Sequence, residues 1–272
     1  MSASSDKVFA GSIPQIYDEL LVPLIFQPYA LDLANRVAAR NPRDVLEIAA
    51  GTGVVTRAMS GLLPAGVAIV ATDLNPPMIE RARAVGTTRP VDWRPADAMN
   101  LPFPDASFDV VACQFGAMFF PDRAKAFSEA RRVLRPAGAF LFNVWDRIEE
   151  NEYAEVATAA LAEMFPADPP LFMRRTPHGY FDVGRIREDL ARGGYPSPPE
   201  IVTVKATSRA GSPRDVAVAY CQGTPLRNEI ESRDASALPA ATSLVEKALA
   251  LRFGEGAIEG RIQAHVIVAP AS

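Results

Sequence analysis

One loop constrains the fold of this chain more than any other segment. Glu47-Ile48-Ala49-Ala50-Gly51-Thr52-Gly53 follows an apolar, strand-like run and precedes a helix-like run. Glycines at such a junction let the backbone turn sharply and let a ligand approach closely. In open α/β sheets, ligands bind in the crevice outside the carboxyl ends of the strands. The loop therefore predicts a strand–turn–helix unit with a ligand at the turn.

The segments around this loop alternate between strand-like and helix-like patterns. Strands are predicted at 45–48, 67–72, 91–94, 110–113 and 139–145, and helices at 56–63, 77–85 and 123–134. Two further runs, 201–208 and 260–268, alternate in polarity as strands do. Strands that alternate with helices predict parallel strands joined by right-handed crossovers. The chain is therefore expected to form an α/β sheet with helices on both faces.

The sequence suggests four segments. We assign 1–40 to an N-terminal helical lid, 41–146 to a cofactor-binding Rossmann-like core, 147–198 to a cap insertion and 199–272 to the C-terminal part of the core sheet. Residues 1–12 are expected to be a mobile tail. Pro28 can open a helix, after which Leu31, Ala34 and Val37 are expected to form a buried stripe. An ordinary helical insertion is the alternative to a cap at 147–198.

Composition excludes several classes of protein. The net charge of −4 and the absence of a basic stripe argue against a nucleic-acid partner. Two distant cysteines, Cys113 and Cys221, predict neither a disulfide framework nor a metal site. Every apolar stretch is interrupted before it could span a membrane, and the polar N-terminus lacks a signal peptide, so a cytoplasmic protein is expected. The oligomeric state is left open, with a homodimer as one option.

Two aspartates follow predicted strands and suit a nucleoside ligand. Asp73 ends the second strand, 20 residues after Gly53, and a carboxylate there can accept hydrogen bonds from both ribose hydroxyls. Its structural alternative is a helix cap or a turn aspartate. Asp97, with the backbone amide of Ala98, follows the third strand and can bind the edge of an adenine ring.

These features alone would also suit a dinucleotide. A dinucleotide-binding loop, however, requires a third glycine for close packing of the helix, and Thr56 occupies that position. None of the six tyrosines is followed four residues later by a lysine, so that catalytic pair of oxidoreductases is absent.

The run from Val45 to Trp145 resembles the class I S-adenosylmethionine-dependent methyltransferases, and especially the small-molecule branch related to ubiquinone and menaquinone biosynthesis. The resemblance rests on five stretches, which are residues 47–53, Asp73-Leu74-Asn75, Asp97-Ala98, residues 101–111 and Leu134-Arg135-Pro136-Ala137-Gly138. It implies a Rossmann-like, seven-stranded, mostly parallel sheet whose final strand is antiparallel, with N-terminal and inserted helical caps. It differs from the family at Ala49, where the first loop glycine is expected.

The resemblance also implies roles for individual residues. S-adenosyl-L-methionine would be held by Tyr17, Glu47, Ala49, Gly51, Thr52, Gly53, Asp73, Leu74, Asp97, Ala98 and Gln114. Among these, Glu47 would steady the loop and the amino group of the cofactor, and Leu74 would pack on the adenine. Tyr17 is a candidate for binding the cofactor carboxylate.

The methyl acceptor is less constrained by the sequence. Phe115, Met118, Phe119 and Trp145 are either core residues or the lining of an apolar acceptor pocket, and His178 is a further candidate for that pocket. No catalytic residue is assigned, because transfer from a sulfonium depends mainly on alignment and water exclusion. The predicted function is methyl transfer to a small apolar or aromatic molecule. A non-catalytic adenosylmethionine-binding or regulatory protein and a dinucleotide-dependent oxidoreductase are the alternatives.

Overall fold

The computed structural model describes residue 6 and residues 9–272. The mobile tail predicted at 1–12 lies for the most part outside these residues. Backbone contacts divide the chain into two compact units. Unit 1 contains Met1–Phe26, Trp145–Gly179 and Lys205–Gln263, and unit 2 contains Gln27–Val144, Tyr180–Val204 and Ala264–Ser272. The four segments assigned from the sequence remain a prediction.

The described residues form one seven-stranded sheet with the order β3-β2-β1-β4-β5-β7-β6. Its strands are β1 Asp44–Glu47, β2 Ala68–Asp73, β3 Asp92–Pro95, β4 Phe108–Gln114, β5 Leu134–Trp145, β6 Glu200–Ala210 and β7 Ile258–Pro270. Strands β1 to β5 pair in parallel. This topology confirms the prediction of a mostly parallel, Rossmann-like sheet that ends in antiparallel pairing.

Helices fill most of the remaining chain. They are α1 Ile13–Ile16, α2 Gln27–Ala38, α3 Val54–Leu62, α4 Pro76–Val85, α5 Arg123–Val133, α6 Glu152–Met164, α7 Phe172–Arg175, α8 Val183–Arg192, α9 Pro213–Gln222, α10 Leu226–Arg233 and α11 Leu238–Phe253. A π-helical stretch covers Tyr17–Phe26, and single 3₁₀ turns cover Ala117–Phe119 and Ile148–Glu150. None of the described helices is long and apolar enough to cross a membrane.

The strand order of unit 2 fixes where a ligand can bind. Strand β1 lies between β2 and β4, so the order of the strands reverses at β1. Val45 and Leu46 are completely buried, as expected for a strand covered on both faces. In such sheets the chain leaves adjacent strands in opposite directions, which opens a crevice at their carboxyl ends. The loop that follows β1 therefore lies at the binding edge of the sheet.

Helix α2 corrects one detail of the sequence analysis. It begins at Gln27, so Pro28 stands in its first turn as predicted. Ala34 and Val37 are buried, but Leu31 is 49% exposed, so its predicted place in the stripe is wrong. With 3.6 residues per turn, Ala30 and Leu33 share a face with Ala34 and Val37, whereas Leu31 falls beside that face. Ala30 and Leu33 are the buried residues that complete the stripe.

Unit 1 is largely helical. Helix α11 packs against α9 and α6. Ser208 Oγ donates a hydrogen bond of 2.7 Å to the carbonyl of Leu24, so the π-helical stretch is tied to β6 within this unit. The completely buried Tyr153 lies against Phe253, with ring centroids 5.1 Å apart. These contacts give unit 1 an apolar core of its own.

Candidate functional site

The loop of residues 48–53, called the cofactor loop below, is fixed to both neighbouring strands. The backbone amide of Ile48 donates to the carbonyl of Ala112 on β4, and the amide of Ala50 donates to the carbonyl of Thr72 on β2, both at 2.9 Å. Ala49 and Gly51 have positive φ angles of 52° and 58°. The chain thus turns sharply at the carboxyl end of β1, as the sequence predicted.

Gly53 is required by close packing as well as by conformation. Its φ angle is 83°, and it caps the amino end of α3. A Cβ atom at this position would lie 2.5 Å from Cη2 of Trp93. Trp93 belongs to a buried cluster with Ala50, Ala71, Ile79 and Ala82. Any side chain at Gly53 would therefore displace this cluster from beneath the cofactor loop.

Ala49, the residue that departs from the family pattern, is matched by a glycine opposite. A Cβ atom at Gly116 would lie 2.5 Å from Cβ of Ala49 and 2.8 Å from Sγ of Cys113. The methyl group of Ala49 therefore lies in space that Gly116 leaves open. Its effect on ligand binding stays a prediction.

Asp73 holds the cofactor loop at the end of β2. Its side chain is 7% exposed, and Oδ2 accepts a 2.8 Å hydrogen bond from the backbone amide of Gly51. Oδ1 accepts one of 2.8 Å from the backbone amide of Asn75. Burial raises the pKa of Asp73 above its ordinary value, and these hydrogen bonds oppose that rise. Asp73 thus organises the binding edge, and its contact with a ribose remains a prediction.

Glu47 is a buried acid beneath the loop. It is 1% exposed, and Oε2 accepts a 2.5 Å hydrogen bond from Oγ1 of Thr56. Burial is the largest influence and raises the pKa of Glu47 to about 8, although the Thr56 hydroxyl lowers it. Glu47 is therefore mostly protonated at neutral pH in this structure. Thr56, which the sequence analysis treated only as a missing glycine, supplies the bond that holds this carboxyl group.

The buried hydroxyl group of Thr52 indicates that a polar ligand fits the loop. It is 1% exposed, yet its Oγ1 has no hydrogen-bond partner among the described residues. A buried hydroxyl without a partner is unfavourable, and a ligand with polar groups can satisfy it. Leu74 is 53% exposed beside Asp73 and offers an apolar surface to a planar ring. Both observations fit the ligand that the sequence predicted.

Asp97 and Ala98 lie next along the same edge. Oδ1 of Asp97 accepts a 2.9 Å hydrogen bond from the amide of Met99, which shapes the turn after β3. The amide of Ala96 donates to the carbonyl of Asp73 at 3.0 Å. The turn that carries Asp97 is thus joined to the end of β2, and contact with an adenine ring stays a prediction.

The end of β4 carries backbone strain. Phe115 has a φ of 49°, which is rare for a bulky residue and occurs most often at functional sites. The backbone amide of Phe115 donates a hydrogen bond of 2.9 Å to Oδ1 of Asn143. Nδ2 of Asn143 in turn donates a hydrogen bond of 3.4 Å to Oε1 of Gln114. The ring of Tyr29 meets that of Phe115 edge-on at 5.4 Å. Sequence reasoning missed Asn143 and Tyr29.

Met118 and Phe119 follow on the 3₁₀ turn. Met118 is 3% exposed and Phe119 is half-buried. The guanidinium of Arg123 donates to the carbonyls of Ala117 and Met118 at 3.2 and 3.0 Å, which fixes this turn. Whether Phe115, Met118 and Phe119 line an acceptor pocket stays a prediction.

Three predicted site residues belong to unit 1 and form a row of rings there. The ring of Tyr17 stacks on Phe26 at 5.0 Å, Phe26 lies 6.0 Å from Trp145, and Trp145 lies 6.0 Å from His178. We call Tyr17, Phe26, Trp145 and His178 the aromatic row. The structure thus brings Tyr17, Trp145 and His178 together, although they are separated widely in the sequence.

His178 is a buried, neutral imidazole. It is 5% exposed, and its Nδ1 donates a hydrogen bond of 2.9 Å to the carbonyl oxygen of Asp146. Because a carbonyl can only accept, Nδ1 carries the proton, and Nε2 is left as an acceptor. Burial lowers the pKa of His178 to about 4. His178 is consequently a weak base, which agrees with a role in lining a pocket.

The remaining predicted residues share unit 2. They are Glu47, Ala49, Gly51, Thr52, Gly53, Asp73, Leu74, Asp97, Ala98, Gln114, Phe115, Met118 and Phe119. All follow or end strands β1 to β4, whose carboxyl ends share one edge of the sheet. The structure therefore brings these residues to one edge of the sheet, and their contact with a cofactor stays a prediction.

Comparisons with known proteins show what this chain is similar to. Residues 46–142 match the family model described as a methyltransferase domain. A demethylmenaquinone methyltransferase of Thermus thermophilus is 40% identical over 111 residues, which are 40% of this chain and 49% of the relative. A ubiquinone/menaquinone biosynthesis C-methyltransferase of Cronobacter sakazakii is 36% identical over 106 residues, covering 38% of this chain and 42% of the relative.

The fold match extends further along the chain. The structure of Haemonchus contortus phosphoethanolamine N-methyltransferase 2, in complex with phosphomonomethylethanolamine and S-adenosylhomocysteine, matches 94% of this chain and 56% of that chain, with a TM-score of 0.58 and 16% identity. This likeness shows the fold. The chain spans about half the length of the curated relatives it matches. The match of residues 46–142 to a methyltransferase domain agrees with the resemblance to class I, S-adenosylmethionine-dependent methyltransferases that the sequence motifs indicated.

Proposed function

We propose that this chain transfers a methyl group from S-adenosyl-L-methionine to a small apolar or aromatic molecule. One observation carries the proposal. Three successive strand ends in unit 2 present the cofactor loop, Asp73 and Asp97 along one edge, and Asp73 is bonded to the loop itself. The methionine, ribose and adenine parts of the cofactor need such groups in this order.

Each residue has a defined role in the proposal. The backbone of Gly51 and Gly53 lets the methionine part approach the turn, and the Thr52 hydroxyl gains the partner that it lacks. Asp73 accepts from the ribose hydroxyls, and Leu74 packs on one face of the adenine. Asp97 accepts from the adenine amino group, and the amide of Ala98 donates to a ring nitrogen.

Glu47 is suited to the amino group of the cofactor. A cationic ammonium near a buried carboxyl group favours its ionised form and lowers its pKa. Because the pKa of Glu47 is about 8 without that cation, binding is coupled to loss of a proton at neutral pH. The proposal includes a bridging water between Glu47 and the amino group. Gln114, at the end of β4, adjoins the methionine part.

The bound cofactor supplies an electrophilic methyl group on a sulfonium. The protein's part is to align the acceptor and to exclude water, and alignment of this kind can contribute about 7–11 kcal/mol. Phe115, Met118 and Phe119 of unit 2 are proposed to line the acceptor pocket. An aromatic acceptor suits these side chains, and the matched Thermus thermophilus relative is named for demethylmenaquinone. A cytoplasmic location and an acceptor other than nucleic acid complete the proposal.

A transfer assay with a labelled cofactor tests the proposed function. The protein is incubated with methyl-deuterated adenosylmethionine and demethylmenaquinone, with and without reductant, and products are identified by mass. A product that carries the deuterated methyl group, and whose yield at micromolar cofactor is lower with Asp73→Ala, supports methyl transfer to an aromatic small molecule. Tight cofactor binding with no transfer to this probe or to simple naphthols would favour a non-catalytic, adenosylmethionine-binding protein instead.

A further inference from the structure

A buried asparagine on β5 binds the residue at the end of β4. Asn143 is completely buried, and it pairs with Gln114 across the parallel strands β4 and β5. Its Oδ1 accepts a hydrogen bond of 2.9 Å from the backbone amide of Phe115, and its Nδ2 donates one of 3.4 Å to Oε1 of Gln114. Asn143 therefore links the strained backbone of Phe115 to the side chain of Gln114, and all three residues belong to unit 2.

The hydrogen bonds of Asn143 fix the orientation of two side-chain amides. A backbone N–H group only donates, so Phe115 requires the oxygen of the Asn143 amide, and the nitrogen of that amide then faces Gln114. Because this nitrogen also only donates, Gln114 must present Oε1 to it. Reversing the Gln114 amide would set one NH₂ group against another. Nε2, the hydrogen-bond donor of Gln114, is consequently at the end of the amide that does not bind Asn143.

Gln114 lies beside the cofactor loop, on the same face of the sheet as Glu47. Glu47 pairs with Ala112 of β4, and side chains two residues apart on a strand point to the same face, so Gln114 shares that face. Two residues after Gln114, a Cβ atom at Gly116 would lie 2.5 Å from Cβ of Ala49 in the loop. Gln114 is thus at the part of the binding edge that is proposed for the methionine part of the cofactor.

We infer that Asn143 is a positioning residue: by holding the amide of Gln114, it directs the Nε2 donor to the carboxylate of the cofactor's methionine part. The inference rests on the proposed function, because the ligand is the cofactor proposed there. Asn143 acts through Gln114 and does not itself bind the cofactor. It takes no part in methyl transfer, so its effect is on which polar group of the cofactor is bound.

The orientation of the Gln114 amide decides between two groups of the cofactor. The methionine part carries a carboxylate, which only accepts hydrogen bonds, and an ammonium group, which only donates them. The amide as Asn143 holds it offers a donor and suits the carboxylate, with which it would form a charge-assisted hydrogen bond. The reversed amide would offer Oε1 and would suit the ammonium group, for which Glu47 is already proposed. Asn143 therefore keeps the roles of Gln114 and Glu47 separate.

Calorimetry with three matched ligands tests the inference. S-adenosylhomocysteine is compared with its decarboxylated analogue, which lacks only the carboxylate, and with its deaminated analogue, which lacks only the amino group. The wild type should bind S-adenosylhomocysteine about tenfold more tightly than the decarboxylated analogue, the effect of roughly one hydrogen bond to a charged group. Equal affinities for these two ligands would overturn the inference.

Two variants and their combination assign the carboxylate preference to Asn143 acting through Gln114. Asn143→Leu releases the Gln114 amide but leaves the Phe115 amide bonded to the backbone carbonyl of residue 143 at 3.2 Å. The preference should fall to about threefold or less, because the competent orientation is then only partly populated, whereas the preference over the deaminated analogue should not fall. Gln114→Met, which keeps the length of the side chain, should abolish the carboxylate preference, and adding Asn143→Leu to it should change nothing further. A full preference in Asn143→Leu, or an equal fall for both analogues, would contradict the inference.

A measurement on the wild type decides if Asn143→Leu does not fold. The side-chain amide NMR signals of Gln114, identified by their absence in Gln114→Met, should shift further downfield with S-adenosylhomocysteine than with the decarboxylated analogue. Equal shifts would overturn the inference. Failure of the proposed function is recognised separately, because S-adenosylhomocysteine would then not bind at all, whereas tight binding without a carboxylate preference would contradict only the role of Asn143.

Discussion

The cofactor loop of unit 2 and the cluster of Gln263, Asp146 and Asn151 in unit 1 hold their polar groups by different means. In the loop, most of the hydrogen bonds that hold the chain in place come from backbone amides. The amide of Gly51, for example, donates to the carboxylate of Asp73, 22 residues away. In the cluster, side chains pair with one another, as Gln263 binds Asp146, 117 residues away. A loop held by its backbone tolerates many side chains, whereas a cluster of side chains depends on the identity of each. The first arrangement is the one expected for a widely used cofactor, which is the role proposed for the loop.

The largest expected effect concerns the buried acid beneath the loop. The pKa of Glu47 rises from 4.5 to about 8 on folding, so between these values the folded state holds a proton that the unfolded state has lost. The free energy of unfolding therefore falls as pH rises through this window. Glu47→Gln keeps an acceptor for Thr56 and removes the titration. Between pH 5 and 8, the free energy of unfolding of the wild type should fall by on the order of 4 kcal/mol more than that of the variant.

Denaturant unfolding of both proteins across pH 5 to 9 measures this difference. Thr56→Val serves as a control, because it removes the hydrogen bond to Glu47 and should steepen the dependence on pH. Parallel pH profiles for the wild type and Glu47→Gln would show that Glu47 is ionised when buried, and the account of the loop would need another stabilising cation.

A smaller effect is expected at Asp73. Asp73→Ala removes the acceptor for Gly51 and Asn75 and the proposed ribose contact, and hydrogen bonds to a charged acceptor contribute roughly 1.5–3 kcal/mol each. S-adenosylhomocysteine affinity should fall about 10- to 100-fold. Asp73→Asn, which keeps one carbonyl acceptor, should lose less. Calorimetry checks both, and an unchanged affinity in Asp73→Ala would place the ribose elsewhere.

The smallest effect is expected at His178. Its pKa of about 4 leaves it neutral from pH 6 to 9, and its imidazole lines the aromatic row without acting as a strong base. His178→Ala should lower the single-turnover transfer rate by less than about tenfold, since loss of a general base costs roughly 10²- to 10⁴-fold. His178→Asn, which can keep the donor to Asp146, is the control.

The rate profile across pH 6 to 9 distinguishes the two roles of His178. A loss of more than about a hundredfold, together with disappearance of a titration near the ordinary histidine value of about 6.5, would make His178 catalytic. Such a result would also remove the contrast between the two regions, because unit 1 would then contribute to chemistry.

The cofactor loop could be predicted because its signals are local. Gly51, Gly53 and Asp73 lie at strand ends whose positions follow from short apolar runs, and parallel strands bring such ends to one edge. The role of Thr56 was missed because its hydrogen-bond partner, Glu47, lies nine residues away in the sequence. The sharp turn of the cofactor loop, with its positive φ angles, brings the two side chains together.

The contacts within unit 1 could be predicted only in part, and its contribution to acceptor binding stays a prediction. Trp145 and His178 were chosen for their residue types, but nothing in the sequence links either to Gln263, since β-strand pairing creates that cluster. Helix α8 was also missed, because its apolar residues are few and its outer face is charged. The sequence feature that could have predicted the start of α8 is Asp182, which accepts a 2.8 Å hydrogen bond from the amide of Arg185 and caps the helix.

The identity of the cofactor is the central claim, and competitive calorimetry tests it most directly. Adenosylmethionine or adenosylhomocysteine should bind to the wild-type protein with micromolar affinity, near −8 kcal/mol. NAD should bind far more weakly, because Thr56 replaces the third glycine that a dinucleotide-binding loop requires. NAD binding as tight as that of adenosylhomocysteine, or tighter, would contradict the account.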